Sequence, residues 1–291
     1  MAFDSFLKQA WADHADQPAE VALRLCTQTP APETGDQLCA LVRLVVHLCG
    51  EHLGAFDDGR WRLAALVHHP LADASVQSAL RVGTASLTLA QTGPADCTGF
   101  SIEERVRTEA AAAAICVGRH QTERASALLK SARERLASVP DAPAAAHRPL
   151  AVACNNMAWE LHDRGGGRRP EDTAAMLDIA AASKWHWSRA GTWLETERAD
   201  YCLALCQLSA GATEASLQSA AQCLALCTQN DAPPYELLFA HEALARTYDA
   251  RGDAVSRKRN AAAAQAAFDQ LSASEQAGCR STLTALLALD R

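Results

Sequence analysis

The sequence predicts an all-α fold, and three observations carry that prediction. Alanine supplies roughly a fifth of the 291 residues, while valine and isoleucine together supply about 5%; sheets are built largely from β-branched and aromatic side chains, whereas Ala and Leu are strong helix formers. Apolar residues recur at three- and four-residue spacing along nearly the whole chain, the period of a helix with one buried face. Short Gly- and Pro-containing breaks divide that pattern into segments of helical length. An all-β fold is excluded, and the scarcity of β-branched residues argues against an α/β enzyme built on a parallel sheet.

Taken in order, the pattern predicts helices at about residues 2–14, 18–28, 36–54, 59–69, 72–91, 101–117 and 122–138, then 144–163, 171–190, 193–209, 214–229, 235–251, 254–271 and 273–289. Four starts carry a hydroxyl followed three residues later by Gln or Glu: Thr34/Gln37, Ser101/Glu104, Thr192/Glu195 and Ser272/Glu275. In that arrangement each side chain satisfies an N–H that the first turn leaves unbonded. Pro18, Pro143, Pro170 and Pro233 stand where a first-turn proline is tolerated, and Gly211 and Gly252 stand where a helix ends.

The formal net charge of −7 argues against a phosphate-neutralising surface, so direct nucleic-acid binding is not expected. No stretch approaches the length of apolar residues that a membrane span needs, and the first sixteen residues, MAFDSFLKQAWADHAD, lack a signal-peptide core. Eleven cysteines, an odd number scattered through helical text, fit reduced thiols, so the expected location is cytoplasmic.

Antiparallel helix pairs invite a search for a repeat. Residues 236–271 contain Leu244-Ala245, Tyr248, the turn Arg251-Gly252-Asp253, and a second helix with Ala261, Ala264 and Phe268. That unit resembles a tetratricopeptide repeat. Weaker matches lie within 102–229: Met157-Ala158 and Leu161 with Ala174, Leu177 and Ala181; Ala220, Leu224 and Cys227 after a first helix registered on Ala199 or Ala204; and Gly118, Ala125, Leu129 and Ala132. The resemblance implies a right-handed α-solenoid of antiparallel helix pairs in 96–291, with a C-terminal capping helix. Residues 1–95 form an N-terminal helical region, separate or continuous with it. Small residues are what let successive pairs stack closely, and stacking is what supplies the core.

In such solenoids the first helix of each pair lines a concave face that accepts a peptide or a partner helix. The positions flanking the small contacts are Asn155, Trp159 and His162 in one unit and Glu242, Arg246 and Asp249 in another. The resemblance therefore implies a non-catalytic scaffold or adaptor binding a protein or peptide. The alternative is a helical small-molecule sensor or enzyme with a site between the N-terminal helices and the repeats. A third reading, the regulatory half of a transcription regulator, would place the DNA-binding part on another chain.

Other candidates read more blandly. Cys202-Leu-Ala-Leu-Cys206 and Cys223-Leu-Ala-Leu-Cys227 put two thiols on one face of each of two helices, the ligand set of a zinc tetrad if the helices pair as a hairpin; their bland reading is small buried hydrophobes. His47, His52, His68, His69 and His241 lack the spacing of a helical zinc motif and read as ordinary helix residues. Asp57-Asp58 reads as a solvated turn, and the loop from Arg164 through three glycines to Arg168 as a flexible linker. Trp185, Trp187 and Trp193 read as aromatics packed at a helix junction. No nucleophile motif is present, so no catalytic residue is named, and on the bland reading of these cysteines and histidines no metal or cofactor is expected.

Overall fold

The computed structural model describes residues 2–290, and among these the chain is all-α, with fourteen α-helices and no strand. It divides into two compact units, Met1–Ala153 and Cys154–Arg291.

The first unit contains α1 (Phe3–Asp13), α2 (Pro18–Thr27), α3 (Gly35–His47), α4 (Phe56–Leu66), α5 (Ala74–Thr92), α6 (Ile102–Gly118) and α7 (Thr122–Ala137). Neighbours in sequence are neighbours in space: α4 packs on α5, α5 on α6 and α6 on α7. The contact between α5 and α6 joins helices on either side of the 95/96 division drawn from the sequence. Glu104 fastens it. In the first turn of α6, this carboxylate accepts from Ser78 Oγ at 2.7 Å and Arg81 at 2.6 Å, both on α5, and from the Ser101 N–H at 2.9 Å.

The expected helix over 36–54 is two elements. After α3 the backbone widens into a π-helical turn, Leu48–Leu53, closed by Gly54 at φ +63°. The turn is pressed against α6 at two glycines. A Cβ on Gly50 would stand 2.7 Å from the Ile115 side chain, and one on Gly118 would stand 2.9 Å from Cβ of Glu51. Asp57 and Asp58 likewise differ from the expected turn: they occupy the first turn of α4, where carboxylates meet the positive helix end. There they pair with Arg60 and Arg62.

Helix α8 (Ala144–Asp163) contains the boundary between the two units. The second unit continues with α9 (Pro170–Ala190), α10 (Trp193–Ser209), α11 (Thr213–Gln229), α12 (Pro234–Ala250), α13 (Ala254–Phe268) and α14 (Ala273–Leu287). Each of α9 to α13 packs on its successor; in addition α10 touches α12, and α12 touches α14. The capping residues expected at Ser101, Thr192 and Ser272 all form reciprocal boxes with their glutamates. Thr34 caps Gln37 N–H, while the Gln37 side chain accepts from Glu33 N–H instead of from Thr34.

The core of the second unit is built on alanine. Ala158, Ala204, Ala220, Ala243 and Ala245 are all 0% exposed, and larger side chains close around them. Small contacts let helix backbones approach, so burial comes from close packing of many helices instead of from a few large residues.

Candidate partner-binding face

Ala158 in α8, Ala204 in α10 and Ala245 in α12 are each fully buried and each preceded by Met or Leu. Around each, the residues three before, one after and four after share a helical stripe. On α8 these are Asn155, Trp159 and His162; on α12 they are Glu242, Arg246 and Asp249. On the intervening helix Ala199 and Ala204 are both buried; Ala204, which joins the cluster of Ala220, Ala243 and Leu244, is the one whose stripe meets Trp159 and Glu242. The corresponding α10 residues are therefore Tyr201, Leu205 and Leu208.

Tyr201 links the two predicted sets. Its ring lies 5.8 Å from that of Trp159, and its hydroxyl donates to Glu242 Oε2 at 2.8 Å. Burial, and then the adjacent Glu242 carboxylate, hold the Tyr201 hydroxyl well above its ordinary pKa, so it stays a donor. Glu242 is itself buried and is paired with Arg246 one turn on. The aromatic row continues from Tyr201 to Phe239 at 5.5 Å and from Phe239 to Tyr235 at 5.0 Å.

Four of the six predicted residues thus gather along this row: Trp159, with His162 edge-on at 5.3 Å, and Glu242 with Arg246. Asn155 lies half-buried on the same stripe of α8. Asp249 is exposed and its carboxylate turns toward α13, 3.6 Å from Arg257 Nε. Tyr201 and Phe239 were missed by the sequence reading. The available signal was the repeat register, because choosing Ala204 over Ala199 as the small contact places Tyr201 beside the other two sets.

A second concavity, an open cleft of about 580 Å³, lies between α11, α12 and α13 on a different stripe of α12. Leu224, Ala263, Leu244 and Tyr248 give it apolar walls, and His241 meets Asn260 there at 3.0 Å.

The four paired cysteines are all buried. The neighbouring Cys206 thiol on α10, and then burial, hold the Cys202 thiol well above its ordinary pKa. Cys206 faces the Ala158 carbonyl at 3.9 Å, whereas Cys223 donates to Glu197 Oε1 at 2.9 Å. Among the described residues, the group of three or more metal-ligating side chains with donor atoms all within 4.8 Å is His14, His47 and His52, in the first unit.

The glycine loop after α8 is a 3-10 turn, Gly165–Gly167, followed by arginines committed to protein partners. Arg168 donates to the carbonyls of Leu161 and His162 and to that of Ser209, closing the C-terminal ends of α8 and α10. Arg169 binds Asp172. Of the clustered tryptophans, Trp187 is buried and Trp193 packs beside Cys223 and Cys227. Trp185 is exposed, with the Arg189 guanidinium 3.5 Å over its ring.

The fold and the face define an all-helical protein with consecutive helix packing. No protein-family model, curated protein or solved structure matches this chain. No helix among the described residues is long and apolar enough to cross a membrane.

Proposed function

We propose that the second unit is a degenerate tetratricopeptide-like array, non-catalytic, whose helices α8, α10 and α12 bind an extended protein or peptide segment. The observation that carries this reading is the recurrence of the stripe around Ala158, Ala204 and Ala245, with Trp159, Tyr201, Glu242 and Arg246 joined across three helices. Trp159 offers an aromatic wall to one apolar side chain. The half-exposed Arg246 and His162 offer donors to backbone carbonyls or a carboxylate. Such a surface binds by shape and by polar pairing on a rigid support, with its ordering cost already met in folding. Eleven free cysteines, nine of them buried, support placing the protein in a reducing compartment such as the cytoplasm.

The cleft of about 580 Å³ favours a second reading, a small-molecule sensor, because apolar walls with a few polar groups at that size suit a small ligand. One experiment separates the two. A random peptide library displayed on phage is panned against the full chain, against the Trp159→Ala/Arg246→Ala variant and against Arg259→Ala in the cleft. The proposal expects a peptide consensus that Arg259→Ala keeps and the double variant loses, with helicity by circular dichroism unchanged in both. Equal recovery on the double variant, or no consensus at all, overturns the α8–α10–α12 assignment.

A further inference from the structure

We propose that His14, His47 and His52 form a binding site for a divalent transition-metal ion, and that zinc is the ion the ligand set suits best. Three segments converge there: the turn after α1, the last residue of α3, and the π-helical turn Leu48–Leu53. One donor nitrogen from each ring lies within 4.8 Å of the others. His47 Nε2 and His52 Nε2 are 3.1 Å apart and share a hydrogen bond, whose proton an incoming ion would replace. Two imidazole nitrogens bound to one tetrahedral zinc at roughly 2.0–2.1 Å stand about 3.3 Å apart, so this pair already has the spacing of a shared ion.

The backbone explains how the pair arises. Residues five apart on an α-helix point about 140° from one another, because each residue turns about 100°. In a π turn the bonding runs from i to i+5, and residue i+5 sits nearly above residue i. The widened turn therefore brings His52 over His47. Gly50 and Gly118 permit it by letting that turn lie directly on α6.

The outer partners are those of a ligating histidine. His47 Nδ1 is 2.7 Å from the Glu51 carboxylate, and His14 Nδ1 is 2.7 Å from the Trp11 carbonyl. An acceptor at Nδ1 holds the proton there, orients the ring, and leaves the Nε2 lone pair facing inward. All three side chains are half-buried, so solvent reaches the cluster and supplies the fourth ligand of an open three-histidine site.

The test uses the full chain, stripped with a chelator and titrated with zinc by calorimetry. One zinc per chain is expected, with affinity about 100-fold or more weaker in His47→Ala and His14→Gln, and weakened ten- to a hundred-fold in Glu51→Gln. The exposed His68→Ala should bind as the unaltered chain does. Because eleven cysteines are present, cobalt(II) serves as the spectroscopic probe. Visible d–d bands without a thiolate charge-transfer band in the near ultraviolet support the histidine site. A strong charge-transfer band that persists in His47→Ala overturns it, as does the absence of zinc binding. Far-UV circular dichroism accompanies each variant. His14→Gln, which lies outside the packed π turn, is the decisive one: unchanged zinc affinity in that variant also overturns the proposal.

Discussion

Glu197 shows how a single buried group ties composition to stability. It lies on α10 at 1% exposure, with the Cys223 thiol as its nearest donor and no cation bonded to it among the described contacts. Burial is the largest influence and pushes its carboxyl up to about 7 from an ordinary 4.5, with the Glu236 charge adding to the rise. A raised acid favours folding while it is protonated. Its contribution is complete below about pH 4.5 and is lost as pH rises through about 7, on the order of 3 kcal/mol across that window. Urea midpoints measured between pH 5 and 8 should therefore fall with pH. Glu197→Gln should flatten that slope and match or exceed the unaltered chain at pH 8. A slope unchanged by the substitution would mean that Glu197 is ionised in the fold.

The π-helical turn is the element whose geometry departs most from its sequence pattern. Residues 36–54 carry an unbroken helical periodicity, and periodicity reports which face is buried without reporting how tightly the backbone is wound. The close approach of α6 sets the winding, through Gly50 beside Ile115 and Gly118 beside Glu51. Gly50→Ala inserts a methyl group where no space exists, although alanine is intrinsically the better helix former. The expected outcome is a loss of about 1–3 kcal/mol by chemical denaturation. A stabilised Gly50→Ala would place the turn away from α6. The capping boxes at Ser101, Thr192 and Ser272 make the opposite case: they are local, so they were legible before any packing was known.

At the scale of the whole molecule, the cysteines report on packing throughout the chain. Cys26 is exposed and Cys97 half-buried, while the other nine are buried in helix contacts. Burial raises the thiol pKa as well, to about 11 at Cys49, so both access and thiolate content oppose reaction. In the native protein Ellman's reagent should modify Cys26 quickly and Cys97 slowly, with the other nine reacting only after denaturation. Fast reaction of more than two thiols would show that the helices do not pack as described.

Composition and periodicity by themselves determined the all-α class, the number and order of the helices and most of their starts, because those properties depend on residues within a turn or two of one another. The stripes on α8 and α12 were legible for the same reason, once a small contact had been chosen on each. Tertiary structure alone decided that Tyr201 bridges Trp159 and Glu242, since that depends on which alanine of α10 meets its neighbours. It alone brought His14 to His47 and His52, which lie 33 and 38 positions further along the chain. No local rule relates residues so far apart. Their meeting rests on the packing of α1 against α3 and on a backbone wound wider than its own sequence pattern predicts.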